Sequence, residues 1–250
     1  MGPDREAVVT LLNELASFLS DPANWSGPNG IPVRVLQHLV YTALALAGAF
    51  LIAFPVGLLI GHTGRGAYIA INLGNAARAI PTFGVLILAV MLAGIGLVPV
   101  LVALIILGVP PILTSTYAGI RSVDGSTVLA ARGMGMTELE LLRGVELPIA
   151  LPTVIAGVRS ATLQIVSTAT LAAYVALGGL GRYVIDGLAQ RDYGKMASGA
   201  VLVAILAILL DFMLVAVGRV AVSPGVSGRV RRTSVTSSAP TPTQSRTHPA

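Results

Sequence analysis

Residues 38–60 read HLVYTALALAGAFLIAFPVGLLI, an apolar stretch that carries no formal charge. The hydrocarbon core of a bilayer is about 30 Å thick, so a helix needs roughly 20 apolar residues to cross it. Lipid offers no hydrogen-bond partner to an exposed backbone amide, and a helix satisfies its amides internally. The stretch therefore predicts a membrane-spanning helix.

Four further stretches meet the same test, and three of them carry a single charge, namely Arg78, Arg159 or Asp211. The predicted spans are residues 38–60, 67–93, 97–120, 151–177 and 196–217. We therefore expect an all-α membrane protein with about five transmembrane helices in one domain at 38–220. Small residues within the spans predict close helix packing: Gly48, Ala49, Gly57, Gly61 and Gly157.

The composition excludes several other classes of protein. Of the 250 residues, 54% are hydrophobic and 11% are charged, whereas soluble domains carry about 25% charged residues. The absence of cysteine excludes disulfides, thiolate metal sites and cysteine nucleophiles. The net charge of +5 owes much to a Ser-, Thr- and Pro-rich tail at 221–250, which we predict to be disordered and cytoplasmic, without nucleic-acid binding.

Residues 1–37 form a separate N-terminal segment. Acids at Asp4, Glu6 and Glu14 argue against a cleaved signal sequence. Apolar residues recur at helical spacing, which predicts an amphipathic helix at the membrane interface, with a mobile leader as the alternative: Val8, Leu11, Leu12, Leu15, Phe18 and Leu19.

Basic residues beside the spans predict the orientation, because short cytoplasmic loops are enriched in Lys and Arg. The connections on one side, with the C-terminal tail, hold nine basic residues, and those on the other side, with the N-terminal segment, hold five. This asymmetry favours an N-terminus outside the cell and a cytoplasmic C-terminus.

The longest polar connection is residues 121–150, RSVDGSTVLAARGMGMTELELLRGVELPIA. Ala130 and Ala131 are expected to close a short helix, and Gly133 and Gly135 to permit a turn with positive φ. Thr137 and Glu140 have the spacing of a capping box that starts a second helix. We expect Pro148 to terminate that second helix.

The second helix of this connection combines apolar and charged faces. Leu139, Leu142, Val145 and Glu146 fall within one broad stripe, and charged residues flank it. Such a helix is suited to docking in a groove of another protein, although an ordinary interfacial linker has the same periodicity.

The spacing within this connection resembles the EAA-x3-G-x9-I-x-LP loop of ABC importer permeases, which contacts the ATPase subunits. Leu replaces the acidic residue and Val replaces Ile. The corresponding positions are Leu129, Ala130, Ala131, Gly135, Val145, Leu147 and Pro148.

Further segments within about residues 38–217 look like the glycine betaine/choline/carnitine (osmoprotectant) permeases of type I ABC importers. These segments are NAARAIPT (75–82), YAGIRSVD (117–124), AARGMGMT (130–137), VELPIALP (145–152), GVRSAT (157–162), GGLG (178–181) and Asp211. The resemblance implies a second permease subunit, cytoplasmic ATP-binding subunits and an extracytoplasmic solute-binding protein as partners.

No catalytic or cofactor site is predicted. A P-loop needs Ser or Thr after its lysine, and Lys195, the only lysine, precedes Met196. The three histidines, His38, His62 and His248, show no metal-ligand spacing. We therefore expect no enzyme activity and no metal, with ATP bound and hydrolysed by a partner subunit.

Three sets of residues are candidates for roles in the membrane domain. Pro81 interrupts the second span, so with Asn75 and Arg78 it is a candidate for the translocation path, or a structural kink. Gly178, Gly179 and Gly181 form a candidate outer gate, or simply end the fourth span. Arg159 and Asp211 are expected at similar depths and to form a structural ion pair.

These observations favour a permease subunit of an ATP-driven importer for small quaternary ammonium osmoprotectants. A permease for amino acids or other small solutes would share the coupling loop, and an ATP-independent carrier or channel is the alternative of another class. Substrate choice is expected to rest largely on the binding protein, because only one Trp, six Tyr and five Phe are present to form an aromatic cage.

Overall fold

The computed structural model describes residues 3–68, 72 and 81–222, and the regular elements in these ranges are all helices. Two 3-10 turns lie at Pro22–Trp25 and Thr170–Val175, and a π-helical turn lies at Leu142–Glu146. The α-helices are α1 (Pro3–Ser20), α2 (Ile31–Thr63), α3 (Thr82–Ala93), α4 (Leu97–Arg121), α5 (Gly125–Gly133), α6 (Glu138–Leu141), α7 (Leu147–Ala169), α8 (Gly181–Gln190) and α9 (Tyr193–Ala221).

Four helical stretches are long and apolar enough to cross a membrane, namely Ile31–Thr63, Leu97–Arg121, Glu138–Val175 and Tyr193–Ala221. A fifth apolar helix, Thr82–Ala93, is shorter. The prediction of about five helices in an all-α membrane protein is confirmed, although α2 starts before the predicted residue 38. Most of residues 67–80, within the second predicted span, lies outside the described residues, as does the tail after Val222.

Helix α4 lies at the centre of the domain and packs against α2, α3 and α7. Half of the residues in its most apolar stretch are buried, against 6% in that of α9, so α9 is the most exposed of the four long helical stretches. Leu104, Ile112 and Ile165 are almost fully buried where α4 meets its neighbours. The helices closest to the core therefore include the predicted first, third and fourth spans.

Glycines allow α2, α4 and α7 to approach closely. A Cβ at Gly57 would lie 2.8 Å from Cβ of Thr116, and one at Gly61 would lie 2.7 Å from Cβ of Ile120. A Cβ at Gly157 would collide with Ser115 and lie 2.9 Å from the carbonyl oxygen of Pro111. The close packing that the small residues predicted is therefore found between these helices.

The N-terminal segment forms α1, which packs against α9. The ring of Phe18 meets that of Tyr183 edge to face, with 5.4 Å between centroids. Asp21 caps the following 3-10 turn by accepting a hydrogen bond of 2.9 Å from the backbone N–H of Ala23. The predicted helix is present, and its location at the membrane interface stays a prediction.

Replacing Gly157 with Val should destabilise the fold, because the new side chain has no room between α7 and α4. Overpacking of this kind typically costs about 1–3 kcal/mol. Denaturant titration of the purified protein, followed by circular dichroism, measures the change in the free energy of unfolding. The matched control is Gly96→Val, because nothing lies within 4 Å of a Cβ at Gly96 and its φ of 163° is extended. Equal losses in the two variants would contradict the packing argument.

Candidate functional site

The connection between α4 and α7 folds as the predicted helix–turn–helix segment. Asp124 caps α5 by accepting a hydrogen bond of 2.9 Å from the backbone N–H of Ser126. Helix α5 continues through Gly133, which is helical, so the expectation that both glycines would have positive φ was wrong for this residue. Gly135 has φ of +85°, and it alone supplies the left-handed step of the turn between α5 and α6.

The capping box that starts α6 is confirmed. The backbone N–H of Thr137 donates to Oε2 of Glu140 over 2.8 Å, and the backbone N–H of Glu140 donates to Oγ1 of Thr137 over 3.4 Å. These reciprocal bonds satisfy two amides that the first turn of a helix leaves free. The direction in which α6 leaves the turn is thus determined by local sequence.

The expectation that Pro148 ends this second helix was wrong. The helical path continues from α6 through the π-helical turn into α7, and Pro148 lies in the first turn of α7. The backbone N–H of Leu147 bonds to the carbonyl of Leu142, five residues earlier. A proline is tolerated in a first helical turn because that turn does not need its missing N–H, and the π-helical turn creates such a position inside a continuous helix.

The helix–turn–helix segment exposes three large apolar side chains on its surface, Leu129 at 69%, Met134 at 77% and Leu139 at 54%. Ala131 and Leu141 are buried within the folded chain. Single exposed apolar residues are common, but three large ones on one short segment beside charged residues are typical of an interaction surface. We call residues 125–146 the docking segment.

The residues of the predicted coupling motif are divided between this surface and its support. Leu129, Ala130 and Gly135 are exposed, and Ala131 is buried. Val145 and Leu147 are half-buried at the junction with α7, and Pro148 is exposed there.

A polar network that the sequence did not reveal connects the docking segment to the end of α2. Nδ1 of His62 lies 2.6 Å from Oε2 of Glu146, and its Nε2 lies 3.2 Å from Oε2 of Glu138. Arg132 donates through Nε and Nη2 to the two carboxylate oxygens of Glu138, each over 3.0 Å. The sequence contains one signal for this network, because Glu146 lies within an otherwise apolar stripe. A carboxylate on a buried face requires a partner.

The candidate outer gate lies against the first turns of α2. The backbone N–H of Gly179, with φ of +92°, donates to Oε1 of Gln37 over 2.9 Å. A Cβ at Gly178 would collide with Gln37, and one at Gly181 would collide with the backbone of Thr170. A larger residue at Gly181 would therefore meet fixed backbone, one at Gly178 would have to displace the side chain of Gln37, and Gly179 adopts a left-handed φ that other residues rarely take.

Tyr183 extends these contacts around the start of α2. Its hydroxyl donates to the carbonyl oxygen of Asn29 over 2.7 Å. Burial raises the pKa of Tyr183 above its ordinary value, which favours the protonated hydroxyl that donates this bond. Helix α8 is thereby attached to the segment that precedes α2.

Two sets of predicted membrane residues have different outcomes. Pro81 lies immediately before α3, while Asn75 and Arg78 lie outside the described residues. Arg159 and Asp211 are brought together: Nε donates to Oδ1 over 2.9 Å and Nη2 to Oδ2 over 2.8 Å. This two-point contact joins α7 to α9, and its role in the protein stays a prediction.

No metal site is evident among the described residues, where no group of three or more His, Asp or Glu is arranged to hold an ion. What the arrangement offers is a group of exposed apolar side chains on the docking segment, which is continuous in the chain with α4 and α7.

Comparison with known proteins identifies the class. Residues 32–225 match the family of binding-protein-dependent transport system inner membrane components. The chain belongs to this family and is a membrane permease subunit of the ABC importer type.

Two curated relatives are similar over most of the chain. It is 35% identical to the glycine betaine/carnitine/choline transport system permease protein OpuCB of Bacillus subtilis, over 87% of this chain and 98% of that protein. It is 38% identical to the glycine betaine/proline betaine transport system permease protein ProW of Escherichia coli, over 77% of this chain and 54% of that protein. An inward-facing structure of the methionine ABC transporter MetNI has a TM-score of 0.68 and 25% identity, over 82% of this chain and all of that chain.

Neutralising either partner of the Arg159–Asp211 contact should lower the yield of folded protein several-fold, because the remaining charge loses its partner in or beside lipid. Exchanging the two residues, Arg159→Asp with Asp211→Arg, should recover part of that yield. Fluorescence-detected gel filtration of the detergent extract measures the monodisperse fraction. Equal damage in the single and double variants would show that the two residues act separately.

Proposed function

We propose that the chain is the permease subunit of an ATP-driven importer for small quaternary ammonium osmoprotectants such as glycine betaine, choline or carnitine. The names of the most similar curated relatives support this substrate class. The observation that carries the proposal is the docking segment, whose exposed apolar surface is continuous with a membrane-spanning helix.

In this proposal a separate ATPase subunit binds and hydrolyses ATP, and its groove receives the docking segment. Leu129, Met134 and Leu139 supply apolar contacts of the kind that hold a short helix in a groove. Leu129 stands where the motif usually has an acid, so apolar contact and not a salt bridge forms that edge. The chain itself then needs no cofactor.

The remaining partners follow from the same mechanism. A second permease, identical or related, would enclose the path together with this chain, and an extracytoplasmic binding protein would deliver the solute. The excess of basic residues beside the docking segment and in the tail favours a cytoplasmic location for both. The N-terminus, α8 and the candidate outer gate would then face the outside of the cell membrane.

The substrate path is proposed to involve the region around Pro81, which lies immediately before α3. The sequence predicts that this proline interrupts the second span. A break in a membrane helix frees backbone groups, and these are tolerated where they line a polar cavity. Asn75 and Arg78 remain candidates for this path. A positive Arg is a poor contact for a quaternary ammonium group, so selection is assigned largely to the binding protein.

Reconstitution tests the proposal directly. The chain is purified with its ATPase and binding protein, placed in proteoliposomes and supplied with radiolabelled glycine betaine, choline, carnitine or methionine. We expect ATP-dependent uptake of one or more of the first three solutes. Uptake of methionine alone would indicate an amino-acid importer, and uptake without ATP or ATPase would indicate a carrier or channel. Thermal-shift measurements on the binding protein with the same solutes provide an independent assignment.

Gly135→Val should abolish ATP-driven uptake while leaving membrane insertion intact. A β-branched residue is disfavoured at φ of +85°, at a cost of roughly 1–2 kcal/mol, so the turn should change and displace α6 from its docking position. Uptake, ATPase co-purification and expression are measured on the same preparations.

Gly133→Ala is the matched control, because Gly133 is helical and nothing lies within 4 Å of a Cβ there. We expect this variant to transport normally. Leu129→Ala should retain partial activity, because Met134 and Leu139 remain. Normal uptake in a well-expressed Gly135→Val variant would show that the segment is only a linker.

A further inference from the structure

The ring of His62 connects parts of the chain that are distant in sequence. His62 lies in the last turn of α2, and Glu146 follows 84 residues later in the π-helical turn. Glu138 lies in the first turn of α6. The ring of His62 therefore contacts the docking segment at two places, at the start of α6 through Glu138 and at the end of the π-helical turn through Glu146.

Both ring nitrogens of His62 face carboxylate oxygens. Nδ1 lies 2.6 Å from Oε2 of Glu146, and Nε2 lies 3.2 Å from Oε2 of Glu138. Glu146 is 5% exposed, and within the described residues its carboxylate has His62 as its hydrogen-bond partner. A buried carboxylate without a partner is costly, so Glu146 holds the ring in place.

The contact gives the docking segment a non-covalent attachment to the membrane domain. Its covalent attachments are to α4 through residues 122–124 and to α7 at Leu147. Through His62 the segment is also joined to α2, and the opposite end of α2 contacts the candidate outer gate through Gln37. A displacement of the segment would thus act on α2 and α7 together.

We propose that His62 is a positioning residue of the transport cycle: its ring holds Glu138 and Glu146 so that α2 and the docking segment move as one body. This inference rests on the proposed function, in which the segment is displaced by an ATPase. His62 touches neither substrate nor nucleotide, and it acts through the two carboxylates.

The absence of cysteine makes a direct test possible. The double variant His62→Cys with Glu146→Cys removes the ring and the carboxylate together and leaves no unpaired buried charge. We expect it to insert and bind the ATPase, but with a several-fold lower ratio of solute transported to ATP hydrolysed.

Joining the two cysteines with a short, reducible bis-methanethiosulfonate should restore this ratio, and reduction should lower it again. The single variants His62→Cys and Glu146→Cys, treated identically, are the controls and should show no recovery. The conservative pair His62→Gln with Glu146→Gln can keep one neutral hydrogen bond. It should therefore couple better than the reduced cysteine pair.

Two results would overturn the proposal: normal coupling in the reduced double-cysteine variant, or transport that stays low when the cross-link is in place. The second result would mean that the contact has to open during the cycle. The unmodified protein is measured in parallel. If it shows no ATP-dependent uptake, the proposed function itself fails, which is a different outcome from failure of the His62 variants alone.

Discussion

The constraint on which this structure depends is that lipid cannot hydrogen-bond to the backbone. Each membrane-spanning segment must therefore be helical, and helices in lipid associate through close packing more than through removal of apolar surface from water. The glycines of α2 and α7 provide that packing against α4, at positions where a Cβ would come too close to Thr116, Ile120 or Ser115. The tight group of α2, α4 and α7 is a frame to which less regular parts are attached.

The irregular parts of the chain lie where the helices of this frame begin or end. The π-helical turn lies at the start of α7. The 3-10 turn at Thr170–Val175, followed by the glycines, lies at its end. At one end the docking segment meets His62, and at the other the candidate outer gate meets Gln37. Helix α2 thus contacts the parts of the chain that adjoin the irregular turns at both ends of α7.

Much of this fold follows from sequence, because the properties involved are local. Apolar length predicts the spans, and the capping box and the positive φ of Gly135 follow from the chemistry of neighbouring residues. The role of Pro148 was not predictable in this way, since whether a proline ends a helix depends on the hydrogen bonding of the turn before it. The contact between His62 and Glu146 depends on the packing of distant helices, which no local pattern of residues specifies.

The π-helical turn also determines how far the docking segment is rotated around the helix axis relative to α7. A π-helical turn is equivalent to one extra residue inserted into an α-helix, and one residue corresponds to about 100° of rotation around the helix axis. The angle between the apolar face of the docking segment and the core-facing side of α7 is therefore set by the number of residues between them. Replacing the exposed side chain of Arg143 in this turn would leave the direction of docking unchanged, whereas gaining or losing one residue within Leu142–Glu146 would turn the whole surface away from its proposed partner.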